Sequence, residues 1–166
     1  MVWVSDITYI KAGGRFCYIC IVLDLFSRKV VGYQVSSKID TQLVIDTIES
    51  AYKNRGQPHS LLFHSDRGTQ YTSEKFRIYM DSLNFVQSFS AKGHPYDNAV
   101  AESFFKYLKH EEMNRRRFKN IEEVKLALVK YIEVFYNSKR PHSANCNLTP
   151  NEKEQDFYKT LSQNID

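Results

Sequence analysis

The stretch VWVSDITYI, residues 2–10, begins a series of three apolar segments that decides the fold class. The other two segments are FCYICIVL at 16–23 and KVVGYQVS at 29–36. All three are rich in β-branched and aromatic residues, which favour strands. The loops between them, KAGGR and DLFSR, are short and contain turn residues. The first 36 residues therefore predict three consecutive antiparallel strands.

Beyond residue 36 the pattern alternates between helices and strands. Asp40 is suited to cap a helix that ends at Gly56. Short strands are predicted at 60–64 and 84–89, and between them lies a helix that Ser73 can cap. This alternation is typical of a sheet that carries helices on its faces.

The second half of the chain is predicted to be mainly helical. One helix begins at Asp97 or Asn98, after the loop from Ala91 to Tyr96. Asn120 with Glu123 resembles a capping box that opens a last long helix. Its apolar positions are Val124, Leu128, Ile132 and Phe135. The whole order predicts an α/β fold with a mixed five-stranded sheet, three antiparallel strands then two more, and flanking helices.

Composition limits the classes of protein to which the chain can belong. It has 166 residues, 42% of them apolar and 25% charged, as in ordinary globular domains. We expect residues 1–150 to form one core and 151–166 to be a C-terminal helix or tail of the same domain. No apolar run approaches the ~20 residues of a membrane span, and no signal peptide precedes the first strand. A soluble, cytoplasmic protein with no membrane partner is expected.

Charge and cysteine content are less decisive. The net charge of +4 permits nucleic-acid binding but is equally compatible with a solvated surface. The three cysteines are an odd number, which argues against a disulfide framework. Cys17 and Cys20 form a lone C-x-x-C within a predicted strand, where they point to opposite faces. A zinc site is not expected there.

Asp6 is the first of three carboxylates that stand out. It shares a strand face with Val4 and Thr8, in an otherwise apolar segment. An acid in the middle of a central strand is unfavourable unless it is paired or binds a metal ion. The alternative is an edge strand in which Asp6 faces water.

The other two carboxylates are Asp66 and Glu102. Asp66 directly follows a predicted strand, where α/β folds place active-site groups, although Asp66-Arg67-Gly68 is also ordinary turn chemistry. Glu102 shares a helix stripe with Asn98 and Lys109, although a solvated Glu–Lys face is an alternative. Three acids from two strands and a helix can together hold two divalent metal ions that cut and join phosphodiester bonds.

These segments resemble the catalytic core of retroviral integrases and, more closely, the DDE transposases of the family called insertion sequence three. The 35 residues between Asp66 and Glu102 match the "D,D(35)E" spacing of such enzymes. The likeness covers nearly the whole chain. It includes WVSDITYI at 3–10, VLDLFSRKVVGY at 22–33, FHSDRGTQYTS at 63–73, SFSAKGHPYDNAVAESFFKYLKHE at 88–111, YNSKRPHS at 136–143 and LTP at 148–150.

The resemblance implies a ribonuclease-H-like fold and a metal-dependent polynucleotidyl transferase. Asp6, Asp66 and Glu102 would be its catalytic metal ligands, for two Mg²⁺ ions that Mn²⁺ can replace. The implied function is DNA cleavage and strand transfer in transposition, with element ends and target DNA as partners. A homo-oligomer, at least a dimer on DNA, is implied, in the bacterial cytoplasm and associated with the nucleoid. No small-molecule cofactor is implied.

The resemblance also implies DNA contacts. Lys109 would contact DNA near the site, and Asn98 and Lys106 would flank Glu102. The candidate phosphate-binding residues are Lys92, Lys106, Lys109, Arg67, Arg115, Arg116 and Arg117. The three consecutive arginines are equally compatible with a solvated helix end. One departure is 144–147, ANCN, where relatives often have a glycine-containing turn; asparagine tolerates the left-handed backbone such a turn requires.

Three functions remain open at this point. The first is a transposase core. The second is a hydrolytic nuclease of the same fold that acts on RNA–DNA hybrids or branched junctions. The third is a non-enzymatic DNA-binding module. Because an apparently central strand begins within two residues of Met1, we expect a piece of a longer polypeptide, whose N-terminal DNA-binding region lies outside this chain.

Overall fold

The computed structural model describes residues 1–90 and 98–163, and a mixed sheet lies at its centre. Its strands are β1 (Val2–Ala12), β2 (Arg15–Asp24), β3 (Val30–Ser36), β4 (Leu61–Ser65) and β5 (Phe85–Phe89). The order across the sheet is β3-β2-β1-β4-β5. The first three strands are antiparallel, whereas β4 is parallel to β1 and β5 to β4. The predicted five-stranded sheet is confirmed, with β1 in the middle.

Helices cover both faces of this sheet. They are α1 (Thr41–Asn54), α2 (Thr69–Thr72), α3 (Glu74–Ser82), α4 (Ala99–Glu111), α5 (Ile121–Val129), a π-helix (Lys130–Tyr136) and α6 (Pro150–Gln163). None of the helices in the described ranges is both long and apolar enough to cross a membrane.

Alternation along the strands builds two separate cores. Trp3 and Cys20 belong to a core with α1 and α3, whereas Val4 and Cys17 belong to a core with α4 and α5. Cys17 and Cys20 therefore lie on opposite faces of the sheet, as their spacing predicts. Because both faces of β1 are covered, any polar side chain in the middle of that strand is partly withdrawn from water.

The predicted helix caps are largely present. Asp40 accepts a hydrogen bond from the Leu43 N–H at 2.9 Å, and Asn120 accepts one from Glu123 at 3.0 Å. Ser73 caps α3 in the same way. The Glu123 carboxylate accepts a hydrogen bond from the N–H of Lys119. In a standard capping box the donor would be the N–H of the cap residue itself, Asn120. The predicted loop from 91 to 96 and Asp97 lie outside the described residues, and Asn98 directly precedes α4.

The last long helix differs from its prediction. It is α-helical only to Val129, and a π-helix follows, in which the N–H of Asn137 bonds to the carbonyl of Ile132, five residues back. The wider turn rotates the following side chains. Phe135, one of the apolar positions of the predicted helix, is 40% exposed, whereas Tyr136 is buried. Helical spacing therefore stops describing the buried face at this point.

Residues 150–163 form helix α6. Glu154 on α6 is 8% exposed and accepts hydrogen bonds from Ser27 and Lys29 at 2.9 and 3.0 Å. It also pairs with Arg55 at 2.8 Å, and Arg55 pairs with Asp24 at 2.7 Å. Complementary charges therefore attach α6 to the turn between β2 and β3.

The segment before α6 contacts the same turn. Cys146 and Asn147 adopt left-handed backbones, with φ of 55° and 66°, so the turn forms without glycine. The side chain of Asn145 donates to the carbonyl of Ser27 at 2.7 Å. Asn137 accepts from the N–H of Val30 and donates to its carbonyl, both at 3.0 Å. Two buried asparagines thus hold the C-terminal segment against β3 and its preceding turn.

We expect Asn137→Ala to lower the free energy of unfolding by about 2–4 kcal/mol, because both backbone groups of Val30 lose a buried partner. Asn114→Ala, at an exposed position, serves as the control and should change stability by less than about 0.5 kcal/mol. Urea denaturation followed by circular dichroism measures both. Equal effects of the two substitutions would show that the Asn137 amide does not stabilise the fold.

Candidate active site and nucleic-acid interface

Asp6 lies in the middle of the central strand. It is opposite Ile21 of β2, and on the other side β4 pairs with β1 only from Val2 to Val4. The edge-strand alternative for Asp6 is therefore wrong. The strand is nevertheless open beside Asp6, because β4 has no partner for it beyond Val4. The carboxylate is half-buried and accepts a hydrogen bond from the N–H of Ile7 at 2.7 Å.

The pKa of Asp6 is raised to about 6, against an ordinary value of 3.8, and burial is the largest cause. The negative charges of Asp66 and Glu102 contribute to the rise, whereas the Ile7 N–H and the Lys109 ammonium oppose it. These influences place Asp66, Glu102 and Lys109 within electrostatic range of Asp6. A site that gathers negative charge around a half-buried acid attracts cations.

Asp66 lies just past the end of β4 and is exposed. Its carboxylate accepts a hydrogen bond from the N–H of Gly68 at 2.9 Å, so the turn interpretation describes its local geometry. A Cβ at Gly68 would lie 3.0 Å from the same carboxylate oxygen and 3.1 Å from Gln70 Oε1. Position 68 therefore favours glycine because the loop folds back onto Asp66.

A buried hydrogen bond fixes this loop against the central strand. The Tyr71 hydroxyl lies 2.9 Å from the hydroxyl of Ser5, the residue before Asp6. Gln87 on β5 donates to the carbonyl of Tyr71 at 3.2 Å. Tyr71 is fully buried, so β1, β5 and the loop after Asp66 are held together in the interior. Sequence reasoning missed Tyr71, whose only signal was an aromatic residue five positions after Asp66.

Glu102 lies in the first turn of α4 and is exposed. The helix packs through Phe104, Phe105 and Leu108 on the core that contains Val4. Carboxylate oxygens are the ligands that Mg²⁺ prefers, so the donor set of Asp6, Asp66 and Glu102 fits a hard divalent cation. Within residues 1–90 and 98–163, no three His, Cys, Asp or Glu side chains are close enough to form a ready ligand set. A cation would have to draw the three mutually repelling acids together.

Lys109 lies two turns after Glu102 and is half-buried. Its ammonium is 5.3 Å from the ring centroid of Tyr9, and Tyr9 contacts Phe16 edge to face at 5.3 Å. Both rings are exposed, by 58% and 47%. Sequence reasoning missed Tyr9; an exposed aromatic residue three positions after Asp6 was the available signal.

The other predicted DNA contacts differ in accessibility. Arg67 and Lys106 are exposed, on the Asp66 loop and on α4. Asn98 is only 6% exposed, and within the described ranges its Oδ1 has no hydrogen-bond partner. Lys92 lies outside the described residues. The DNA-binding roles of all four remain predictions.

Arg115, Arg116 and Arg117 are exposed after the end of α4. Arg116 pairs with Glu112 and stacks on the Phe118 ring at 5.3 Å, while Arg115 donates to the carbonyl of His110 at 3.3 Å. These contacts hold two of the three side chains on the protein surface. These contacts are compatible with a solvated helix end and equally with a DNA phosphate contact. The structure does not distinguish between these two interpretations of the arginines.

Two family models match this chain, and both carry the same description. Residues 1–95 match one model of the integrase core domain, and residues 84–150 match a second. The chain belongs to the integrase core domain family. Together the two matched ranges contain Asp6, Asp66 and Glu102.

Curated relatives of this integrase core include bacterial transposases. It is 39% identical to the transposase for insertion sequence element IS904 of Lactococcus lactis, over 93% of this chain and 61% of that protein. It is 38% identical to transposase InsF for insertion sequence IS3A of Escherichia coli, over 92% of this chain and 53% of that protein. The chain thus spans little more than half the length of these relatives. The predicted likeness to the insertion-sequence-three family is confirmed.

A third relative has a different name. A Lactococcus lactis protein called ATP-dependent protease is 48% identical over 68% of this chain, which is 36% of that protein. The present sequence contains no G-x-x-x-x-G-K-[ST] phosphate-binding loop.

Solved structures share the architecture at low sequence identity. The catalytic core domain of BIV integrase has a TM-score of 0.63 and 19% identity, covering 97% of both chains. The simian T-cell lymphotropic virus intasome, in complex with a PP2A regulatory subunit, has a TM-score of 0.68 and 18% identity, over 90% of this chain and 52% of that one. The Mos1 transposase catalytic domain, solved with Raltegravir and Mn, has a TM-score of 0.67 and 16% identity, over 81% of this chain and 70% of that one. The predicted ribonuclease-H-like fold is confirmed.

The raised pKa of Asp6 predicts a pH-dependent effect of Asp6→Asn on metal-free protein. Well below pH 3.8 the carboxyl is protonated in both folded and unfolded chains, so the two variants should be equally stable. Between pH 3.8 and about 6 the unfolded chain ionises while the folded chain resists ionisation, so the native protein loses stability relative to the variant across this range. The substitution should therefore stabilise the fold by about 1–3 kcal/mol near pH 7.

Thermal unfolding in the presence of a chelator, followed across this pH range, measures the difference. Asp46→Asn is the matched control, since Asp46 is exposed on α1. A wild-type protein as stable as Asp6→Asn near pH 7 would mean that the Asp6 carboxylate is not destabilised by its surroundings.

Proposed function

We propose that this integrase core cuts the DNA ends of an insertion sequence and joins them to target DNA. The observation that carries the proposal is Asp6, a half-buried acid in the middle of a central strand, within electrostatic range of Asp66 and Glu102. Transposases of two bacterial insertion sequences, 38–39% identical over more than nine-tenths of this chain, support it. Because the chain spans only 53–61% of those proteins, the activity is proposed for the whole protein from the site of its core.

Asp6, Asp66 and Glu102 would hold two Mg²⁺ ions, which Mn²⁺ can replace. Such ions, when bound, activate the attacking oxygen and stabilise the leaving oxygen of a phosphodiester. The Mos1 catalytic domain has been solved with Mn and with Mg, which supports the use of divalent metal ions in this fold. Asp6 is the most buried of the three acids and gains most from a nearby cation, since burial destabilises its ionised form.

The protein residues position the DNA for chemistry. Lys109, beside both Asp6 and the exposed ring of Tyr9, holds a phosphate near the three acids. The nucleophile is water in the cutting step and a DNA 3′-hydroxyl in the joining step, so no covalent protein–DNA intermediate is required. Tyr71 keeps the Asp66 loop against β1 through its buried hydrogen bond to Ser5, and the N–H of Gly68 orients the Asp66 carboxylate.

DNA binding in this proposal depends mainly on phosphate contacts by lysine and arginine. Such binding weakens steeply with salt and shows little sequence preference. Joining two element ends requires two active sites, so the assembly on DNA is at least a dimer. The bacterial relatives support a reaction in the cytoplasm, and in this proposal the protein associates with the nucleoid when it is bound to DNA.

The three acids are tested with a branched DNA that mimics the joined product, in Mn²⁺ or Mg²⁺. This substrate presents a 3′-hydroxyl beside the scissile phosphate and so requires no recognition of element ends. We expect metal-dependent strand resealing by the native chain. Asp6→Asn, Asp66→Asn and Glu102→Gln should each reduce it by roughly 10³-fold or more, since each removes a charged ligand of the metal ions.

Asp46→Asn again serves as the control, and DNA affinity should persist in every variant because a negative charge is lost. Hydrolysis without any transfer to a 3′-hydroxyl would favour the nuclease alternative. DNA binding with neither activity nor Mn²⁺ binding would favour the non-enzymatic module. Full resealing by any one of the three variants would contradict the assignment of that acid.

Lys109 is tested separately through the salt dependence of DNA binding. We expect Lys109→Gln to reduce the slope of log affinity against log salt by about 1, because one phosphate contact is lost. Lys53→Gln on α1, where the lysine is exposed and pairs with Glu49, should leave the slope unchanged. Fluorescence anisotropy with a labelled duplex measures both, and identical slopes for the two variants would remove Lys109 from the DNA interface.

A further inference from the structure

A second concave site lies on the side of α4 that faces away from Glu102. It is a cavity of about 250 Å³ between α4, the turn that follows β2 and the segment after the π-helix. Ser103 lines this cavity. It directly follows Glu102 in the sequence and lies about 100° around the helix from it. The polar lining residues of the cavity are Arg28, Ser103, Tyr107, Arg140, His142 and Ser143. None of these residues contributes to the candidate active site.

Arg28 is the unusual residue of this cavity. Its φ is 63°, in the left-handed region that arginine rarely adopts. The side chain is half-buried, and its Nη1 is buried without a hydrogen-bond partner among the described residues. Within the described ranges Arg28 also forms no ion pair. A buried guanidinium nitrogen without a partner is unfavourable unless an anion satisfies it.

The other two basic side chains contribute shape rather than net charge. Arg140 is paired with Glu111 through Nε and Nη2, at 3.1 and 3.0 Å, and its guanidinium lies 3.8 Å from the Tyr107 ring centroid. Burial, followed by repulsion from Arg140 and Arg28, lowers the pKa of His142 to about 4, so its imidazole is neutral near pH 7. The unbalanced positive charge of the cavity therefore belongs to Arg28.

The first turn of α4 also borders the cavity, through Ala99 and Val100. This helix has thirteen residues, and Asn98 gives it no side-chain cap. The first N–H groups of a helix lack internal partners and carry partial positive charge. An unpaired arginine, a helix N-terminus and several hydroxyls thus converge on one concave space, which is the donor set that binds phosphate oxygens.

We propose that this cavity binds a backbone phosphate of DNA, with Arg28 as its principal contact. The inference rests on the proposed function, which supplies DNA as the partner, and adds a contact outside the candidate active site. A helix is about 10–12 Å across with its side chains. A DNA strand that places one phosphate at Glu102 can therefore place a nearby phosphate at Arg28. The two sites would then bind the same DNA on either side of α4.

The first test uses inorganic phosphate alone, compared with chloride at equal ionic strength. The native chain should unfold at a higher temperature in phosphate, and Arg28→Gln should lose that increase. Arg28→Gly keeps the fold intact, because glycine adopts the left-handed backbone without strain, and it should lose the increase as well. Arg77→Gln, which removes an exposed arginine on α3, is the control and should behave like the native chain.

The second test measures affinity for a DNA duplex at several salt concentrations. Arg28→Gln and Arg28→Gly should bind roughly tenfold more weakly than Arg77→Gln, as expected for one charged hydrogen bond. The salt slope should fall by about 1. The resealing reaction on branched DNA, measured in parallel, reports on the candidate active site independently.

The outcomes separate the two proposals. If the native chain reseals DNA while the Arg28 variants bind DNA as Arg77→Gln does, the phosphate site is overturned and the transposase proposal stands. If the Arg28 variants lose both phosphate and DNA binding but resealing never occurs, the site stands and the transposase proposal fails. Phosphate binding that requires Arg28 without any effect on duplex affinity would overturn the DNA contact in favour of a small phosphate ligand. Absence of phosphate and DNA binding by the native chain would also overturn it.

Discussion

The structure is arranged around a carboxylate that is held half-buried in the middle of the central strand. A strand covered on both faces favours apolar side chains, and Asp6 departs from that rule at the point where β4 stops pairing with β1. The gap beside Asp6 leaves room for Asp66, which follows β4, and α4 packs on the same face with Glu102 in its first turn. Burial makes the ionised form of Asp6 unfavourable when no cation is near. For the same reason a bound cation would stabilise this carboxylate strongly.

Features that depend on neighbouring residues were predictable from the sequence. The three antiparallel strands follow from short loops between apolar segments, and the caps at Asp40, Ser73 and Asn120 follow from side chains that reach only two or three residues along the chain. The importance of Asp6 was predictable because an acid in an apolar strand conflicts with its surroundings. Its two partners were recognised from their positions after a strand and on a helix stripe, together with the family spacing.

Features that depend on distant contacts were not predictable in this way. The π-helix exchanges Phe135 for Tyr136 in the core, and the periodicity of a sequence cannot distinguish a wide turn from an ordinary one. The hydrogen bond between Ser5 and Tyr71 joins residues 66 positions apart. Arg28 lies in the motif VLDLFSRKVVGY at 22–33. That its Nη1 has no hydrogen-bond partner among the described residues depends on how β2, α4 and the segment after the π-helix pack together.

Asn137 has an additional effect on the edge of the sheet. Because β3 is the outermost strand, its free backbone groups are exposed to pairing with a strand of another molecule. The Asn137 amide occupies both groups of Val30, and Asn54 donates to the carbonyl of Val31 at 3.1 Å. The start of the edge strand is thus closed by side-chain amides. This end of the sheet is therefore protected from uncontrolled extension and aggregation.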